Sequence, residues 1–221
     1  MVGNSTVLNR TVQARTQPRR YGRGVGTPVA TIPPPSPWSE REVEFLGVTL
    51  RLLQEHGYDG LTIDEVAAEA KASKATIYRR WPSKADLVVA AFIEGTRSYA
   101  TLPNTGSLRG DLIAIGHQVC DQAGEHSANV RAVLTEIART PELGAALQTF
   151  FAQRRALITA VLDAAVARGE IDVAVINDDL WDVLPGYLVF RHLLPRTPPS
   201  DQTVIDLVDQ VMLPSLTRRA V

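Results

Sequence analysis

Four helix-start signals fall within residues 39–83, and this spacing leaves room for little except a domain of short helices. Ser39-Glu40-Arg41-Glu42 and Thr62-Ile63-Asp64-Glu65 both carry the Ser/Thr-x-x-Glu pattern of a capping box. In that motif two side chains satisfy backbone amides that a helix start leaves without partners. Ser73 and Ser83 offer hydroxyls that can cap two more helices. Val43, Phe45, Leu46, Leu50 and Leu53 follow a three-and-four spacing until His56-Gly57 stops the first helix. The second helix is expected to reach about Ala70, and the third to end near Trp81-Pro82. The fourth continues through Leu87, Val88, Ala91 and Phe92.

Beyond residue 105 the apolar pattern predicts longer helices over 107–123, 127–139, 141–168, 177–194 and 201–217. Pro141 suits a first turn, Gly169 a stop, and Pro195 to Pro199 a break. Pro185-Gly186 is expected to kink the helix that contains it. Ile171 to Ile176 is the one stretch with strand character, too short and isolated to build a sheet. The expected fold class is therefore all-α. A three-helix helix-turn-helix domain over residues 38–86 precedes a larger helical domain over 87–221. Residues 1–37 lack hydrophobic periodicity and end in Pro33-Pro34-Pro35-Ser36-Pro37, so they read as a flexible arm.

Charge narrows the function only when taken by segment. The arm holds five arginines and no acid (+5), residues 38–86 hold seven basic and nine acidic groups (−2), and the remainder holds eleven and fifteen (−4). The globular part is thus acidic, and net charge gives no sign of nucleic acid. Within it, residues 71–84 hold five basic residues and no acid. No apolar run approaches the ~20 residues of a membrane helix. The lone Cys120 excludes an internal disulfide, and a cytoplasmic location with no membrane association is expected. His56, His117, His126 and His192 are scattered, and there is no glycine-rich phosphate loop or nucleophile elbow. An enzyme is not expected, and no cofactor or metal is implied.

The basic segment sits where a helix-turn-helix would place its second helix, from Thr62 to Trp81 overall. Ala72, Ile77 and Trp81 can turn inward against Leu61, Ile63, Val66 and Ala70, which leaves Ser73, Lys74, Thr76, Tyr78, Arg79 and Arg80 for the outer face. Hydroxyls and cations of this kind contact phosphate or base edges, although on charge alone a solvated basic helix fits as well. Lys84 opens the next helix, whose amides already favour an anion.

Residues 40–90 resemble the DNA-binding domain of the TetR-type family of bacterial regulators. The resemblance is carried by Leu61-Thr62-Ile63-Asp64-Glu65-Val66-Ala67 and, more specifically, by Ser73-Lys74-Ala75-Thr76-Ile77-Tyr78-Arg79-Arg80-Trp81-Pro82-Ser83-Lys84. It implies double-stranded DNA as partner and a linking fourth helix. It also implies a second domain that forms a homodimer and senses a small-molecule effector. By it, Thr76 and Tyr78 contact phosphate or bases, Lys84 contacts phosphate, and Ser73, Lys74 and Arg79 are weaker candidates. Arg80 is free to pair with an acid instead. Two departures stand out. Lys71-Ala72 replaces the family's usual Gly-Val in the turn, so either Lys71 accepts a strain of ~1 kcal/mol or the turn is built slightly differently, and Trp81 replaces a phenylalanine.

In the second domain the resemblance is looser, through Pro141-Glu142-Leu143 and the helix ending Ala165-Val166-Ala167-Arg168-Gly169-Glu170. It implies that the last two long helices pair with those of a second copy, although their apolar faces would equally fill an intrachain core. The Pro185-Gly186 kink, near Trp181, Tyr187 and Phe190, is a place for a ligand cavity. Candidate pocket residues are His117, Cys120, Trp181 and Tyr187, with Gln118 and His192 as further polar groups; a lone core histidine is more often simply hydrogen-bonded.

Overall fold

Every one of the four N-terminal caps closes. In this computed structural model, which describes residues 35–176, 180–194 and 198–217, Ser39 and Glu42 form a complete capping box at the start of α1 (Glu40–Gly60). Thr62 and Glu65 do the same for α2 (Ile63–Glu69), and Ser83 with Asp86 for α4 (Lys84–Gly95). Ser73 caps α3 (Lys74–Arg80) by accepting from the Thr76 amide at 3.2 Å. Gly57 breaks α1 as expected: its φ of 70° is open to glycine, and one further turn follows to Gly60.

The remaining helices are α5 (Leu108–Glu125), α6 (Ser127–Glu136), α7 (Pro141–Ala167) and α8 (Leu180–Leu193). They are followed by α9 (Asp201–Leu207) and α10 (Leu213–Thr217). The stretch Ile171 to Ile176 is no strand. Asp172 caps a 3-10 turn there, Val173–Val175, by accepting from the Ala174 amide. The expected single helix over 201–217 is divided by a wide π turn, Val208–Met212. Pro214 supplies the reason: it cannot donate to the carbonyl four residues back, and its ring crowds that carbonyl, so the preceding turn opens. The Leu213 amide bonds the Val208 carbonyl across the widened turn. Residues 1–34 of the arm lie outside the described residues, and its Ser36 hydroxyl donates to Glu94 of α4 at 3.0 Å.

Two apolar cores share the molecule. The first gathers Phe45, Leu46, Leu53, Val66, Ile77, Trp81 and Leu87, and continues through Phe92 into Val133, Leu147 and Phe150 of α6 and α7. A division at residue 86 therefore falls inside α4, which packs on α1 on one side and α7 on the other. The second core gathers Leu112, Leu162, Leu184, Leu188, Val208 and Met212 around α5, the end of α7, α8 and the last helices. Gly116 lets α5 and α9 approach closely there, since a Cβ would lie 2.4 Å from a Val204 methyl. Among the described residues no helix is long and apolar enough to cross a membrane.

Candidate nucleic-acid interface and effector cavity

The turn between α2 and α3 is made by a lysine doing what glycine does elsewhere. Lys71 has φ 49°, and it is the residue that carries the chain through the left-handed region. The Ala72 amide bonds the Ala67 carbonyl at 2.8 Å and the Lys71 amide bonds the Ala68 carbonyl at 3.2 Å, the paired bonds of a Schellman motif. The end of α7 repeats this motif with Gly169 at φ 76°, its two bonds running from Glu170 to Ala165 and from Gly169 to Val166. The lysine turn has an additional hold. The Arg41 guanidinium on α1 donates to the Ala70 carbonyl and, at 3.2 Å, to the Lys71 carbonyl. Substituting Lys71→Gly is expected to raise stability by about 1 kcal/mol through relief of Cβ strain. A urea midpoint that stays unchanged or falls would show that the turn is unstrained.

The inner face of α3 is as the sequence predicts. Ile77 is fully buried, Trp81 nearly so, and the Trp81 ring meets Phe45 edge-on at 6.4 Å and 78°. Ser73, Lys74, Tyr78, Arg79 and Arg80 are exposed, and Thr76 is half-buried. These outer residues are not equally available. The Ser73 hydroxyl is occupied by the cap and by the Thr76 hydroxyl at 2.9 Å. Lys74 pairs with Asp64 at 2.5 Å, and Arg80 pairs with Glu42 at 2.7 Å, the acid-pairing alternative foreseen for it. The Ser39 amide, reinforced by Arg80, holds the Glu42 carboxyl below the ordinary glutamate range even against its burial. Arg79 makes no ion pair among the described residues, and Tyr78 leaves 46% of its surface in solvent. An aromatic ring so exposed on the outer face of a helix-turn-helix, beside that arginine, is poised for an external partner.

Lys84 is placed differently from its sequence-based role as a plain phosphate contact. Its Nζ donates to the carbonyls of Tyr58 at 2.9 Å and Leu61 at 3.3 Å, and lies 4.4 Å from the Tyr58 ring centre. The ammonium thereby ties the start of α4 to the end of α1, with one of its three protons left over. Lys84→Ala is expected to destabilise the fold by about 2 kcal/mol, because two carbonyls lose a charged donor. A thermal melt within a degree of the parent would assign the lysine to DNA alone.

A cavity of about 770 Å³ opens between α5, α6, α7 and α8. Its volume lies inside the ~300–1,000 Å³ typical of small-molecule sites. Pro185, Gly186, Val189 and Phe190 form one wall. The α5 wall is the stripe Ile115, Gln118, Val119, Gln122 and Ala123, spaced as one helical face. His117 and Cys120 lie off that stripe, which corrects their assignment to the cavity. His117 faces Asp201 of α9 at 3.6 Å, and Cys120 is buried in the second core, where burial pushes its thiol up to about 12. Tyr187 is also off the wall; it is exposed and accepts from Arg191 at 2.8 Å. Of the other two polar groups, Gln118 is on the wall and His192 bonds the Leu188 carbonyl at 2.9 Å. The Trp181 side chain lies outside the described residues.

Sequence reasoning missed Arg154. It occupies a position in the inward stripe of α7 that runs Leu143, Leu147, Phe150, Ile158, Leu162, where an apolar residue is expected. Its Nη2 donates to the carbonyl and hydroxyl of Thr96, the C-cap of α4, at 2.8 and 2.7 Å. A charged residue in register with a buried stripe was the readable signal.

A helix-turn-helix with an open polar outer face, joined by one helix to a cavity-bearing helical body, is the architecture of a DNA-binding regulator. Comparison with known proteins agrees. Residues 45–91 match the family described as bacterial regulatory proteins, tetR family, and residues 102–211 match the tetracyclin repressor-like C-terminal domain. An HTH-type transcriptional regulator of Mycobacterium tuberculosis is 59% identical over 197 residues, covering 88% of this chain and 98% of that protein. The DNA-binding transcriptional repressor TetR of Mycobacteroides abscessus is 36% identical over 181 residues, 78% of this chain and 92% of that one. The crystal structure of a TetR family transcription regulator superposes with a TM-score of 0.65 at 31% identity, covering 81% of this chain and all of that one. This chain belongs to the TetR family of bacterial transcriptional regulators, which are DNA-binding proteins and not enzymes.

Proposed function

We propose that the chain is a ligand-responsive repressor that acts as a homodimer on a near-palindromic operator in the cytoplasm. The observation that carries this reading is the cavity between α5 and α8, because α4 joins it through Phe92 and Thr96 to the reading helix. Repression is favoured by the relative from Mycobacteroides abscessus, which is named a repressor. Two half-sites need two copies of α3, and apolar side chains that a second copy would cover are exposed on one part of the chain. They are Tyr187 and Phe190 of α8, Leu194 just past it, and Val211 of the π turn. On the reading helix and its flanks, Tyr78 and Arg79 lead the contacts, Lys71 of the turn adds phosphate attraction, and Ser73, Lys74, Thr76 and Lys84 of α4 have subordinate parts.

Fluorescence anisotropy on duplexes from the chain's own upstream region, at two salt concentrations, tests the function. Salt-sensitive binding of two chains per duplex is expected, with light scattering giving twice the chain mass in free solution. Failure to bind either that region or random duplex at low salt would end the regulator reading for these sequences.

A further inference from the structure

Among the described residues around the cavity, Arg154 carries a charge that no carboxylate answers. Both bonds of its Nη2 go to neutral oxygens of Thr96, and no carboxylate pairs with it among the described residues. Its guanidinium sits 5.1 Å from the Phe150 ring centre, against the cavity wall that Phe150, Phe151 and Ile158 also form. A guanidinium offers five N–H donors, so Nε and Nη1 remain without a protein partner among the described residues. Burial lowers its pKa to about 10, which still leaves it fully charged near neutrality. Burying a charge without an opposite one is unfavourable, and functional sites are where such a charge persists.

The other charged groups of the cavity do not offset it. Arg155 and Asp182 both line the mouth and face each other at 3.9 Å, so the lining carries a net positive charge. The rest of the lining is mostly apolar, with Val130, Leu134, Val189 and Phe190 among the walls. We infer that the effector is a monoanion with an apolar body, its carboxylate or similar head held by Arg154 and its body filling the space between α5 and α8. The inference rests on the cavity being the effector site. It excludes cations, which would meet a like charge, and it disfavours neutral molecules, which leave Arg154 unanswered. A charge-assisted, forked contact of this kind favours the anion about tenfold or more over a neutral twin.

Two fluorescent naphthylamines make the comparison direct. 1-Anilinonaphthalene-8-sulfonate and N-phenyl-1-naphthylamine share an aromatic body and differ by the sulfonate. Titration into the full chain should give at least about tenfold tighter binding of the sulfonate, and dodecanoate should displace it where dodecyltrimethylammonium does not. Arg154→Met, which keeps bulk and removes charge, should bring the two dyes to equal affinity. Val119→Trp, which fills the cavity, should weaken both. Equal affinities in the parent, or a sulfonate preference that survives Arg154→Met, would overturn the anion assignment and leave the cavity standing. Dyes that fail to bind, or that ignore Val119→Trp, would remove the cavity as effector site and the inference with it. Circular dichroism of each variant separates loss of binding from loss of fold.

Discussion

Trp81→Ala is expected to lower the unfolding free energy by about 3–5 kcal/mol. The indole is nearly inaccessible, it packs edge-on against Phe45, and it joins the end of α3 to α1 and the start of α4. Truncation opens a cavity at that three-way junction, where capped helix starts on both sides resist collapse into the gap. Trp81→Phe, the residue usual in the family, should lose much less, since an aromatic edge contact survives. Urea denaturation monitored by circular dichroism reads both variants. If alanine loses under about 1 kcal/mol, the junction is plastic and Trp81 does not position α3.

The second large effect concerns DNA. Arg79→Ala is expected to weaken operator binding by roughly ten- to a hundredfold, the range of one forked arginine-to-base contact. Arg79 is singled out because the neighbouring cations are engaged: Lys74 with Asp64, Arg80 with Glu42, and Lys84 with two carbonyls. The salt dependence separates two roles. If Arg79 holds a phosphate, the alanine variant has a slope of log affinity against log salt that is shallower by about one. If it reads a base, the slope stays as it is and sequence preference relaxes. Anisotropy with operator and scrambled duplexes distinguishes these outcomes, and an unchanged affinity for both would remove Arg79 from the interface.

What was legible in the sequence followed from chemistry local to a few residues. Ser39, Thr62, Ser73 and Ser83 each cap the helix they announce, because a cap needs only a hydroxyl and the next three amides. Gly169 was readable as a helix stop for the same reason, whereas the strain at Lys71 was legible only through the family's glycine at that position. The cavity walls were not. Which face of α5 meets open space depends on how α6, α7 and α8 lean on it, and His117 and Cys120 lie roughly 170° and 130° of helix rotation from the centre of the wall stripe. The π turn also went unread, although Pro214 was present to mark it. At the DNA face, residue type alone made Lys74 look as available as Arg79, and it left the acid that Arg80 takes unnamed. Their partners Asp64 and Glu42 are distant enough in sequence that only the fold reveals them.

The two moorings of α4 have a mechanical consequence. Lys84 fastens its first turn to the end of α1, and Arg154 of α7 fastens its last residues through Thr96. The helix itself is twelve residues, a strut about 18 Å long. A helix this short is stiff, so a displacement imposed at one mooring arrives at the other with little loss. Val88, Ala91 and the rest of its buried face then act as a bearing, and not as a spring. On the proposed reading, the angle at which α3 would meet a duplex is geared to the position of α7, with one clamp a lysine on two carbonyls and the other an arginine on a carbonyl and a hydroxyl.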